Sequence, residues 1–151
     1  MNAILYALRD TDKLRTFLFW YWIISPLIFF FYQFSVSKGT GVTFQEMLQT
    51  PTVALAFLVS CISLIMAGLL RAAESENELT ERNFGIFAVI QQLLTGNLPG
   101  FLLAYFFTRS IWEAGGEPFA PRLKWVMVGG MALLGFLSLL TLVANFNLYI
   151  A

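Results

Sequence analysis

Eighteen charged residues punctuate this 151-residue chain, and they leave four stretches untouched: Phe17 to Ser37, Thr50 to Leu70, Asn83 to Thr108 and Trp125 to Ala151. Each matches or exceeds the roughly 20 mainly apolar residues that an α-helix needs to cross the hydrocarbon of a bilayer. An Asp, Lys or Arg at mid-bilayer costs about 2.5–3.5 kcal/mol on insertion scales, so such a segregation of charge is what membrane crossing demands. With 58% hydrophobic and 12% charged residues, the chain is too apolar for a soluble domain of its size. The expected fold is an all-α membrane protein: a four-transmembrane-helix bundle with spans at about 17–37, 50–70, 83–108 and 125–150, making one domain of residues 1–151.

The same composition removes several kinds of chemistry. Without a single histidine, the chain excludes histidine-ligated haem, His-containing metal sites and His-based acid–base catalysis. Cys61 is the only cysteine and lies within the second apolar run. Its neighbours Ser60 and Ser63 share that run with no lysine or carboxylate to activate them. Glu113 with Glu117, and the group from Glu74 to Glu81, match no metal-binding spacing. A net charge of zero with scattered basic residues gives no footprint for nucleic acid. The expectation is a protein without catalytic residues, metal or cofactor, whose partners are membrane lipids and other membrane subunits or further copies of itself.

Residues 1–16 set Ile4, Leu5, Leu8 and Leu14 against Arg9, Asp10, Asp12, Lys13 and Arg15, which suits a short N-terminal interfacial helix or a charged tail. The first apolar run follows without a small-residue cleavage pattern and is read as retained. Trp20, Tyr21 and Trp22 are expected at the headgroup level, and this aromatic helix, with no internal glycine, on the outside of the bundle. Thr43 and Glu46 have the spacing of a capping box, and Thr50-Pro51 that of a helix start. In the second span Ala56, Ser60, Ser63 and Ala67 recur at four, three and four residues and form a narrow stripe for close helix packing. The fourth span places Gly130, Gly135, Ser138, Thr141 and Asn145 on one side, a further small and weakly polar face. Arg109, Arg122 and Lys124 border the preceding Gly/Pro-containing loop, as possible contacts for lipid headgroups.

The third span is unlike the others. Gln91, Gln92, Thr95, Gly96, Asn97, Pro99 and Gly100 interrupt its middle. Wound as one helix, it gathers Gly85, Ala88, Gln91, Gln92, Thr95, Gly96, Pro99 and Gly100 on one half, with Asn97 at the border. Two readings follow. Gly96 and Gly100 form a GxxxG pair and the amides bond across a helix interface, or the broken helix lines a solute path in a small oligomeric channel or transporter subunit. The first is favoured: a non-catalytic accessory, assembly or immunity-type component of a membrane complex. Four straight spans divide the Lys and Arg residues five to four between the two sides. The N-terminal cluster tips that balance towards both termini being cytoplasmic, in a bacterial cytoplasmic membrane.

Overall fold

The structure, a computed structural model, describes residues 10–74, 78–113 and 121–150, and of these the side chains of 121–123 and 149–150 are not described. Of the predicted interfacial segment 1–16, residues 1–9 lie outside the described residues, and residues 11–16 belong to the first long helix and do not form a separate one. Regular structure within them is helical: α1 (Thr11–Thr40), α2 (Phe44–Met47), α3 (Pro51–Glu74), α4 (Glu78–Leu94), α5 (Leu98–Ser110) and α6 (Pro121–Ile150). Three helices are long and apolar enough to cross a membrane, α1, α3 and the Lys124–Leu148 portion of α6.

The third predicted span, 83–108, is not a continuous helix. It ends at Leu94 and restarts at Leu98, and its two halves fold back on each other. Arg82 donates to the Trp112 carbonyl at 3.2 Å, Gly85 abuts Thr108, and Gly100 abuts Gln92. As the position in α4 advances, its partner in α5 recedes, the signature of an antiparallel hairpin. At 1.5 Å per residue the arms are about 25 and 20 Å long, short of the ~30 Å hydrocarbon thickness.

Local chemistry dictates the reversal. Gly96 adopts φ 71°, the left-handed conformation glycine takes at little cost. Its N–H donates to the Leu93 carbonyl at 3.1 Å and that of Asn97 to the Gln92 carbonyl at 2.9 Å, the two bonds of a Schellman helix stop. Asn97 then caps the next helix, its side chain accepting from the Gly100 N–H at 3.2 Å. Pro99 is the second residue of α5, where its missing N–H leaves no helical bond unmade. The proline expected to kink a helix instead starts one.

The hairpin fixes the direction of everything around it. Arg15 meets Glu74 and Glu81, and Thr11 bonds to Ser110, so the start of α1, the end of α3 and both outer ends of the hairpin share one end of the bundle. At the opposite end, Phe57 packs edge-on against Phe30 and Phe44, and Pro51 and Ala54 line a groove with Ala144 and Asn147. The described ends of the chain, Asp10 and Ile150, therefore lie at opposite ends of the bundle. The expectation of both termini on one side of a membrane counted residues 83–108 as a crossing.

Helix α1 is not peripheral either. It packs against α3 and α5, burying Leu14, Leu18, Trp22 and Pro26. Trp22 is fully enclosed and meets Phe84 edge-to-face at 6.1 Å. Because α1 begins at Thr11, Trp22 falls about three turns inside the helix. Helix α6 packs against α3 and α4 through Met127, Leu134, Ser138 and Thr141.

Candidate functional site

The polar residues of the interrupted stretch meet inside the bundle. Gln91 and Gln92 are each 1% exposed. The Gln92 Nε2 donates to Gln91 Oε1 at 2.6 Å, and the Gln91 Nε2 donates to Ser138 Oγ on α6 at 3.2 Å. The Ser138 hydroxyl in turn donates to the Leu134 carbonyl at 2.7 Å. The result is a directed chain of hydrogen bonds that joins the hairpin to α6 and ends within the α6 backbone. Gln92 Oε1 lies against Gly100 and has no hydrogen-bond donor.

Thr95 and Asn97 serve the turn. Thr95 Oγ donates back to the carbonyls of Gln91 and Gln92 at 3.1 and 3.2 Å. Asn97 Oδ1 accepts from the Gly100 N–H and from the Tyr21 hydroxyl of α1. Tyr21, expected among headgroups, thus ties the hairpin tip to the first helix. Gly96 lies in the turn with nothing within 4 Å of where a side chain would begin, so the expected GxxxG contact does not form. The close approach uses Gly85, Ala88 and Gln92 on one arm and Gly100, Ala104 and Thr108 on the other, all buried. A Cβ on Gly85 would lie 2.5 Å from Thr108 Oγ1.

The other predicted faces lie at helix contacts. In α3, Ser60, Ser63 and Ala67 are buried and Ala56 is half-buried. The two serine hydroxyls donate to the carbonyls of Ala56 and Val59 four residues back, so they satisfy themselves and leave a smooth face. A Cβ on Gly130 would stand 3.1 Å from the methyls of Leu69, and one on Gly135 3.8 Å from Phe87. Thr141 is fully buried and bonds to the Leu137 carbonyl. Of the three proposed headgroup contacts, Arg109 and Lys124 are exposed, and the Arg122 side chain lies outside the described residues.

One cluster had only a partial signal in the sequence, the helical spacing of Arg71 and Glu74. The Arg15 guanidinium bonds to Glu81 at 3.0 Å, Asp12 at 2.9 Å and Glu74 at 3.4 Å, while Arg71 also pairs with Glu74. The Glu81 side chain is only 3% exposed. Burial raises its pKa above the usual carboxylate value, with the bond to Arg15 pulling the other way. The Glu74 to Glu81 group thus contributes two carboxylates that lock α1 onto α3 and α4.

Among the described residues, no group of three or more His, Cys, Asp or Glu is placed to hold a metal ion. In comparisons with known proteins, the chain matches no protein-family model, no curated protein and no solved structure.

Proposed function

We propose that this chain is a non-catalytic integral membrane protein with three crossings and one re-entrant hairpin, acting through helix contacts as an accessory, assembly or immunity-type component of a membrane complex. The observation that carries this reading is the burial of Gln91 and Gln92. Their amides are turned onto each other and onto Ser138, and Gly100 closes over Gln92. A face used for solute passage needs ligands open to water, and these serve internal packing. What remains for interaction is the lateral surface. Phe31, Phe136, Phe146 and Trp125 are 60–78% exposed, and a bilayer offers such residues either lipid or another helix.

The hairpin also supports an orientation. Lys13, Arg15, Arg71, Arg82, Arg109 and Lys124 belong to the end of the bundle at which α1 begins, and Lys38 alone among the described basic side chains belongs to the other. Six to one is a far stronger positive-inside bias than five to four. It supports a cytoplasmic start of α1 and a C-terminal end of α6 on the opposite side, in a bacterial cytoplasmic membrane.

Two measurements test the function. Single cysteines at Gln91, Gln92 and Thr95 in a Cys61→Ala background are expected to resist water-soluble thiol reagents in the folded protein. Ready labelling of all three would favour a solute path. Purification in mild detergent is expected to retain a partner at fixed stoichiometry, and a lone monomer that restores the native phenotype would remove the accessory role.

A further inference from the structure

Between the arms of the hairpin, with no α6 residue in its lining, is a recess of about 390 Å³. Ile86, Val89 and Ile90 of α4 and Tyr105 of α5 form its apolar walls, with Arg109 and Trp112 at one end. Ile86, Ile90, Tyr105 and Trp112 are 37–62% exposed, so the recess opens sideways into the space a bilayer would fill. Its long axis follows the hairpin. Arg109 adjoins Ser110, which bonds to Thr11 at the charged end of the bundle, whereas Tyr105 and Ile90 lie one or more turns deeper.

Arg109 is the distinctive element. It is exposed in the last turn of α5 and has no acidic partner among the described residues, in contrast to Arg15 and Arg71 at the same end. Glu113, one turn further along the chain, lines a different, polar recess with Thr11, Asp12 and Glu78. Among the described residues, the groove therefore presents one cation without an acidic partner at the charged end of the bundle, an exposed indole beside it, and an apolar trough descending from it. That order of chemistry is the order of a phospholipid: anionic phosphate, glycerol ester, acyl chain.

We propose that the recess binds one anionic phospholipid of the leaflet at the charged end, with the phosphate on Arg109, the ester region against Trp112, and one acyl chain between Ile86, Ile90 and Tyr105. The site sits apart from the Gln91–Ser138 contact and does not depend on the accessory role.

Native mass spectrometry of the full-length protein, purified in nonionic detergent, tests the site with phosphatidylglycerol and phosphatidylcholine of matched chains. One phosphatidylglycerol adduct is expected, bound about fivefold more tightly than phosphatidylcholine, as one surface cation implies. Arg109→Gln should abolish the preference and Arg109→Lys should keep it. Ile90→Trp, which fills the trough from an exposed position, should weaken both lipids while circular dichroism and elution stay unchanged. Equal affinity for the two lipids, a preference that survives Arg109→Gln, or unaltered binding in Ile90→Trp would overturn the proposal. So would displacement of the lipid by glycerol phosphate alone, or a protein helix found occupying the groove.

Discussion

Replacing Gly85 by alanine tests the antiparallel hairpin directly. The new methyl would lie 2.5 Å from Thr108 Oγ1, 3.4 Å from Thr108 Cβ and 3.6 Å from the ring of Phe107. Phe107 is fully buried and cannot yield. Thr108 can move its hydroxyl only by turning a stiff, β-branched χ1 and giving up its 2.7 Å bond to the Ala104 carbonyl. Overpacking of this kind costs about 1–3 kcal/mol, against which alanine's better helix propensity returns about 0.8–1 kcal/mol. A net loss of up to about 2 kcal/mol is expected. In a Thr108→Ala background the clashing oxygen is gone and the remaining 3.4 Å contact is ordinary, so Gly85→Ala should become neutral or stabilising. Reversible unfolding in mixed dodecyl maltoside and SDS micelles would measure the four corners of the cycle. The expected coupling is about 1–3 kcal/mol. In a straight helix positions 85 and 108 would be about 35 Å apart and would not couple, so additivity within about 0.3 kcal/mol would refute the hairpin.

Side-specific labelling gives the topology: cysteines at Asp12 and Glu113 should react with an impermeant reagent from one face of the membrane, and those at Thr40 and Asn147 from the other. Four straight spans would put position 113 opposite position 12. Gly96→Ala, which meets no neighbour but must hold φ 71°, should cost about 1–2 kcal/mol in the same unfolding assay. Tyr21→Phe, which removes the bond to Asn97, should cost about 0.6–1.7 kcal/mol. Arg15→Met should destabilise by about 3–5 kcal/mol near neutral pH by stranding the buried Glu81 carboxylate. Glu81 lies outside the three spanning helices, and its raised pKa means that the folded state holds the proton more tightly than the unfolded one. Its stabilising contribution is therefore full below the ordinary value of 4.5 and lost as pH rises through the folded pKa. Glu81→Gln should flatten that part of the stability profile.

The long-range arrangement was hidden for physical reasons that differ from residue to residue. The capping box at Thr43 and Glu46 and the helix start at Pro51 depend on neighbours a turn away, and both form as the spacing predicts. The packed faces through Ser60, Ser63, Ser138 and Thr141 follow from helical periodicity and are buried. Hydropathy fails at the third span because it records how apolar a segment is and not which way it runs. A 26-residue apolar run can cross once or enter and leave by the same side. The deciding signal was local and present: Gly96 as a helix stop, Asn97 as a cap and Pro99 in a first turn form a stop–start signature. The Arg15–Glu81 pair had no comparable signal, since its partners stand 66 residues apart. Only after the hairpin is closed do they reach the same end of the bundle.

The chain reversal also accounts for the polar residues that first suggested a binding site. A chain reversal leaves backbone groups that apolar surroundings cannot satisfy, at several kcal/mol for each. Here Gly96 permits the stop that sends the N–H groups of positions 96 and 97 back into α4, and the Asn97 side chain takes up the Gly100 N–H. Thr95 folds its hydroxyl onto two carbonyls at the end of α4, and Tyr21 brings a donor from α1 to the same asparagine. One turn back from the tip the requirement changes from satisfying backbone to fixing register, which the Gln92–Gln91–Ser138 chain does by bonding the hairpin to α6 at a single height. Asn97, which belonged to neither face of a continuous helix, has the most demanding role of the set. It closes one helix, opens the next and receives the first helix in the same place.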